Sequence, residues 1–212
     1  MSTPSELRPA NVLISEVGPR DGLQSVKATM ATHAKLAWID ALYASGIREI
    51  EVASFVPAKL LPQMADAAEV VRHALTLPGL TVMALVPNLR GAEAALKAGV
   101  HKITLPVSAS AAHSLANVRK TREEMVEEVR RIAALRRDIA PQVKMEAGIS
   151  TAFGCTIQGA VAEDDVVWLA GAVIEAGADE SGLSDTTGMA NPAQVRRIFN
   201  RVRAEIGDKT GA

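Results

Sequence analysis

"ASGIREIEV" (residues 44–52), "KAGVHKITL" (97–105) and "EAGADESGL" (175–183) repeat one arrangement: a small residue, a glycine, a short link, then a strand. Each reads as the junction where a helix ends on a left-handed glycine and a strand begins. Gly46, Gly99 and Gly177 are therefore expected to close three helices. One junction used three times implies repeated βα units. Outward from these points, strand candidates fall at residues 12–17, 49–54, 81–86, 102–107, 143–149 and 179–183. Amphipathic or alanine-rich segments separate them. Thr121 and Glu124 form a capping box before Met125, Val129, Ile132 and Leu135. Asn191-Pro192 supplies an N-cap and a first-turn proline before Val195, Ile198 and Val202. Alternation of this kind predicts an α/β fold with a parallel sheet.

Two parallel architectures fit that pattern. A doubly wound nucleotide fold needs a glycine-rich turn after its first strand. Here "GPRDGLQ" (18–24) fills the position, and the chain contains no G-x-G-x-x-G. The reading is a TIM (β/α)8-type barrel. Such a barrel takes eight strands in about 250 residues, whereas only about six βα units are legible. Residues 1–212 are read as one barrel domain, with 1–11 flexible. The tail "GDKTGA" (207–212) looks like the approach to another strand, so the barrel is expected to be incomplete at its C-terminal side.

Composition narrows the function. The chain is 48% hydrophobic and 22% charged with a formal net charge of −1, enough apolar content for one sizeable core. Near-neutral charge and 3% aromatic residues argue against nucleic acid or an anionic membrane as partners. No run is long enough to span a bilayer and no signal peptide is read. One cysteine, Cys155, agrees with a reducing, cytoplasmic setting.

Barrel chemistry collects at the carboxyl ends of the strands. Arg20 and Asp21 follow the first strand, Glu51 lies in the second and Asn88 follows the third. Ser108 and Ser110 follow the fourth, and Asp185 and Thr186 the sixth. These would converge on one mouth; the plain alternative for Asn88 and the serines is helix or turn capping. "EIEVASF" (49–55) alternates, so Glu49, Glu51 and Ala53 should share a face. An inward Glu51 needs a partner such as Arg20 to offset its desolvation, although a purely structural ion pair would look the same. Glu16 is read as structural. Asp21 suits a hard divalent cation, Arg20 a developing oxyanion, and Asp185 a general base. His33 and His73 fall in helices, His101 precedes the fourth strand, and His113 lies in a polar loop that could border the mouth. No two are spaced as metal ligands. Cys155, in "TAFGCTIQG" (151–159), is read as buried and inert rather than reactive.

"EVGPRDGLQ" (16–24), "IEVASFVPAKLLPQMAD" (50–66), "VPNLRG" (86–91) and "LSDTTGMANP" (183–192) together resemble the 3-hydroxy-3-methylglutaryl-CoA lyase family. The resemblance runs from about Asn11 to Gly207. It implies a closed eight-stranded barrel, usually dimeric, with Mg²⁺ or Mn²⁺ at its mouth. It also implies cleavage of an acyl-CoA, a 3-hydroxy-3-methylglutaryl thioester, to acetyl-CoA and acetoacetate. By matching motif, Asp21 would be a metal ligand and Arg20 would stabilise the enolate oxygen. Gln24 and Glu51 would support that pair, and Asp185 would help remove the hydroxyl proton. Asn88 and Ser110 are carried as substrate contacts. The family's further metal ligands and its catalytic cysteine would lie beyond Ala212, and Cys155 does not match the latter. On strand five this sequence has Glu146 and Gly148 where the family places an arginine and a tyrosine, so a sibling lyase for another 3-hydroxyacyl-CoA also fits. A related aldolase or Claisen-type acyltransferase, or an inactive truncated protein, are the remaining readings.

Overall fold

The computed structural model describes residues 12–211; the 1–11 segment expected to be flexible lies outside the described residues. Strands β1 (Ser15–Glu16), β2 (Glu49–Ser54), β3 (Thr81–Leu85), β4 (Lys102–Ser108), β5 (Lys144–Ser150), β6 (Glu180–Leu183) and β7 (Thr210–Gly211) form a parallel sheet in sequential order. The helices are α1 (Thr32–Ala44), α2 (Ala67–Ala74), α3 (Leu89–Ala98), α4 (Ala111–Val118), α5 (Arg122–Ile139), α6 (Glu163–Glu175) and α7 (Pro192–Ile206). Sequential parallel order with a helical crossover between strands is the topology of a (β/α)8-type barrel, here a curled part of one. The strand anticipated after α7 exists as β7, pairing Ser181 with Thr210 and Gly182 with Gly211. No helix among the described residues is long and apolar enough to cross a membrane.

Period-two burial sorts the two faces of the sheet. In β4, Ile103, Leu105 and Val107 are buried against the helices, while Lys102, Thr104 and Pro106 face the barrel interior and are only partly covered. In β5, Met145, Ala147 and Ile149 are buried and Glu146, Gly148 and Ser150 face inward. Each fully buried aliphatic side chain contributes about 1.5–3 kcal/mol. Helix ends follow the chemistry of their sequences. Thr121 and Glu124 make the reciprocal capping box of α5, and Asn191 caps α7 by accepting from Gln194 N. Gly99 closes α3 at φ 86°.

Two expectations are corrected. Only Ser15–Glu16 of the 12–17 segment is strand, and Val12, Leu13 and Ile14 are exposed, because β1 pairs with β2 alone. In β2 the alternation breaks. The ladder runs from Glu51↔Met83 to Ala53↔Ala84, so Val52 is an extra residue. This bulge advances the pleat by one. Ser54, not Ala53, comes into register with the inward Leu85.

Candidate active site

After β1 the chain tightens into one wide turn, Gly18–Gly22, in which the amides of Arg20 and Asp21 both donate to the Val17 carbonyl, at 3.1 and 2.7 Å. Proline at its second position pre-sets φ and is itself buried. The turn delivers Arg20 and Asp21 to a cleft of about 750 Å³ at the carboxyl ends of the strands. Gln24, Thr104, His113, Gly148, Asp185 and Thr186 share its wall.

Arg20 is the hub. Its Nε donates to Glu51 Oε2 at 2.5 Å, its NH2 also meets that oxygen, and NH1 donates to Asp21 Oδ1 at 2.7 Å. These contacts engage three of the five guanidinium N–H groups, so others remain for a bound oxygen. Glu51 is 1% exposed and, among the described residues, its Oε1 has no hydrogen-bond partner. Burial pushes the Glu51 carboxyl above its ordinary pKa against the opposing pull of Arg20. Gln24 Nε2 reaches the same Asp21 Oδ1 at 3.3 Å, leaving Oδ2 outside both bonds. The Asp21 side chain is 54% exposed at the mouth. That oxygen suits a hard cation as one ligand. Among the described residues, no group of three or more His, Cys, Asp or Glu is gathered to hold a metal, so a full donor set is not assembled here.

Asp185 lines the cleft and anchors its own loop: Oδ1 accepts from Met189 N at 3.0 Å and Oδ2 from Ala190 N at 3.2 Å. Asn88 and Ser110 are not brought to the cleft wall. Asn88 Oδ1 caps α3 through Gly91 N, and Ser110 Oγ caps α4 through His113 N while donating to Gln158. Each is used by the helix it precedes, as the capping alternative expects. His113 stands in α4, not in a loop, with Nδ1 2.7 Å from Ser108 Oγ; burial lowers its pKa. Cys155 is buried and does not line the cleft.

Sequence reading did not anticipate the polar floor below the cleft. Lys102 Nζ lies 2.7 Å from Glu146 Oε2 and 2.8 Å from Glu180 Oε2, tying β4, β5 and β6 together. Burial alone would depress the Lys102 amine, but Glu146 and then Glu180 outweigh it and raise its pKa. The inward parity of Lys102 and Glu146 was the available signal. Thr151 was also missed. It holds φ at 58°, uncommon for a β-branched residue, while its amide donates to Thr186 Oγ1 and its Oγ1 accepts from Ser110 N. It fastens the loops after β4, β5 and β6 to one another.

A parallel βα sheet in sequential order, with an arginine–carboxylate cluster at its strand ends, is part of a (β/α)8-type barrel with a charged mouth. The HMGL-like family profile matches residues 11–211, and the chain belongs to that family. It is similar to the hydroxymethylglutaryl-CoA lyase of Bacillus subtilis, 37% identical over 93% of this chain and 66% of the relative. The 3-hydroxy-3-isohexenylglutaryl-CoA/hydroxy-methylglutaryl-CoA lyase of Pseudomonas aeruginosa is 38% identical over 93% of this chain and 65% of its own length. A crystal structure of hydroxymethylglutaryl-CoA lyase from Pseudomonas aeruginosa superposes with a TM-score of 0.87 at 36% identity, covering 92% of this chain and 65% of that one. The chain thus spans about two thirds of the length of these relatives.

Proposed function

We propose that the protein is a divalent-cation-dependent carbon–carbon lyase that cleaves a 3-hydroxy-3-methylglutaryl-CoA-like thioester to acetyl-CoA and acetoacetate. The observation that carries this is Arg20, held by buried Glu51 on one side and by Asp21 on the other, facing the cleft. Breaking the bond between C2 and C3 leaves the electron pair on the thioester fragment as an enolate, which becomes acetyl-CoA on taking up at C2 one proton, equal in number to the one lost from the hydroxyl. Fixed N–H donors aimed at that oxygen stabilise the charge without reorganising at the moment of reaction. Glu51 and Asp21 fix the guanidinium plane beforehand. Asp185, tethered by two backbone amides, receives the hydroxyl proton as the carbonyl of the departing fragment forms. Asp21 would hold Mg²⁺ or Mn²⁺, which when bound supplies Lewis-acid polarisation of the substrate oxygens. A second copy of the chain is the proposed protein partner, read out by light scattering.

The test is turnover of 3-hydroxy-3-methylglutaryl-CoA by the full chain with Mg²⁺ or Mn²⁺, following acetyl-CoA release. Cation-dependent release that Arg20→Gln reduces sharply supports the reading. Release that is independent of Arg20, or no release with either cation, overturns it.

A further inference from the structure

We propose that Gly148 is a specificity-determining residue. Its missing side chain opens a slot in the cleft for a neutral, apolar branch at C3 of the substrate, larger than methyl. The inference rests on the thioester-cleaving reading and specifies its substrate.

Gly148 lies within the seven-residue strand β5, paired on one side with Pro106 and on the other with Gly182. Glycine weakens a strand interior and needs a reason to be there. Backbone conformation supplies none, because Gly148 is absent from the positive-φ glycines of the described residues. Packing supplies none either: a Cβ at 148 would meet only Thr104 Cγ2, at 3.7 Å, an ordinary contact. Other glycines behave differently. At Gly182 a Cβ would fall 2.5 Å from Glu146 Oε1, and at Gly91 2.8 Å from the Phe55 carbonyl oxygen. Those two are required by their neighbours, whereas Gly148 leaves space.

That space belongs to the reacting cleft. Gly148, Thr104 and Pro106 line the same wall that carries Arg20, Asp21 and Asp185. The Thr104 methyl and the Pro106 ring offer apolar flanks. Beneath lie Glu146, Lys102 and Glu180, two carboxylates for one amine, so an anionic branch would be repelled and a neutral one is selected.

The experiment measures dissociation constants of the full chain, by calorimetry, for CoA thioesters of 3-hydroxy-3-alkylglutarates with methyl, ethyl, propyl and butyl at C3. Each buried methylene is worth roughly fourfold, so affinity is expected to rise at least tenfold (roughly) from methyl to propyl. Gly148→Leu should reverse that order, weakening the propyl and butyl homologues more than tenfold (roughly) and the methyl one by less than about threefold. Gly148→Ala, whose Cβ the site accepts, should give a smaller shift of the same sign without lowering the melting temperature. Affinity in the parent that is flat or falling with branch length, or variants that weaken every homologue equally, would overturn the proposal. Failure of the parent to bind even the methyl thioester would instead remove the thioester-cleaving reading, and this inference with it.

Discussion

Arg20 Nε donates to Glu51 Oε2 at 2.5 Å, while the other oxygen of that carboxylate is buried with no hydrogen-bond partner among the described residues. Arg20 is therefore the counter-charge on which an ionised Glu51 depends. Removing one member of a buried pair costs about 3–5 kcal/mol, mostly through the charge left behind. Glu51 can lessen that loss by taking up a proton.

A pH signature follows for Arg20→Gln. The folded pKa of Glu51 is raised above its unfolded value, so between the two the native state binds more protons. Stability then falls as pH rises from the ordinary carboxyl range towards the folded pKa. Without Arg20 the window widens upward. Urea denaturation should show the variant losing more stability between pH 5 and pH 8 than the parent, and Glu51→Gln in the same background should flatten the difference. Turnover should drop about 10²–10³-fold, the usual loss for a donor aimed at an oxyanion. Parallel pH curves for parent and variant would contradict the pairing.

Asp21→Ala should weaken the binding of Mn²⁺ and leave the fold intact, since the Asp21 side chain is 54% exposed. Thermal shift against Mn²⁺ concentration reads this directly. An undiminished shift would remove Asp21 as a ligand.

Asp185→Asn should separate two duties. The amide keeps one acceptor oxygen but turns an NH2 towards one of the Met189 and Ala190 amides. Stability should fall by only about 0.5–1.5 kcal/mol, because both bonds are exposed and the released groups can turn to water, and saturating turnover should fall further than that loss explains. Melting curves beside kcat at 25 °C make the comparison.

Lys102→Met strips the single amine from Glu146 and Glu180 and should cost about 3 kcal/mol. Glu146→Gln in that background should restore part of it. In the parent, a raised lysine pKa means this contribution is complete below the ordinary lysine value and lost only as pH rises through the folded one. Denaturation midpoints at pH 7 and pH 10 should accordingly agree for this pair.

Local signals read well because local forces set them. The caps at Thr121 and Asn191 and the left-handed glycines at 46, 99 and 177 all depend on near neighbours. The Arg20–Glu51 pair was also foreseeable, since an inward carboxylate demands a cation. Contacts that join distant strands left no such trace. Lys102 meets Glu180 across 78 positions, and nothing near either residue announces the other. Asn88 and Ser110 show the opposite difficulty: one residue type serves caps and substrates alike, and the caps on Gly91 N and His113 N emerge only in the fold.

The extra residue at Val52 has an effect on how β2 tolerates change. Below it, odd-numbered positions look into the barrel; above it, even-numbered ones do. A charge-insertion scan along this strand should therefore switch parity midway, and trimming Val52 would straighten the ladder while leaving Ser54 facing the lumen and Ala53 the helices.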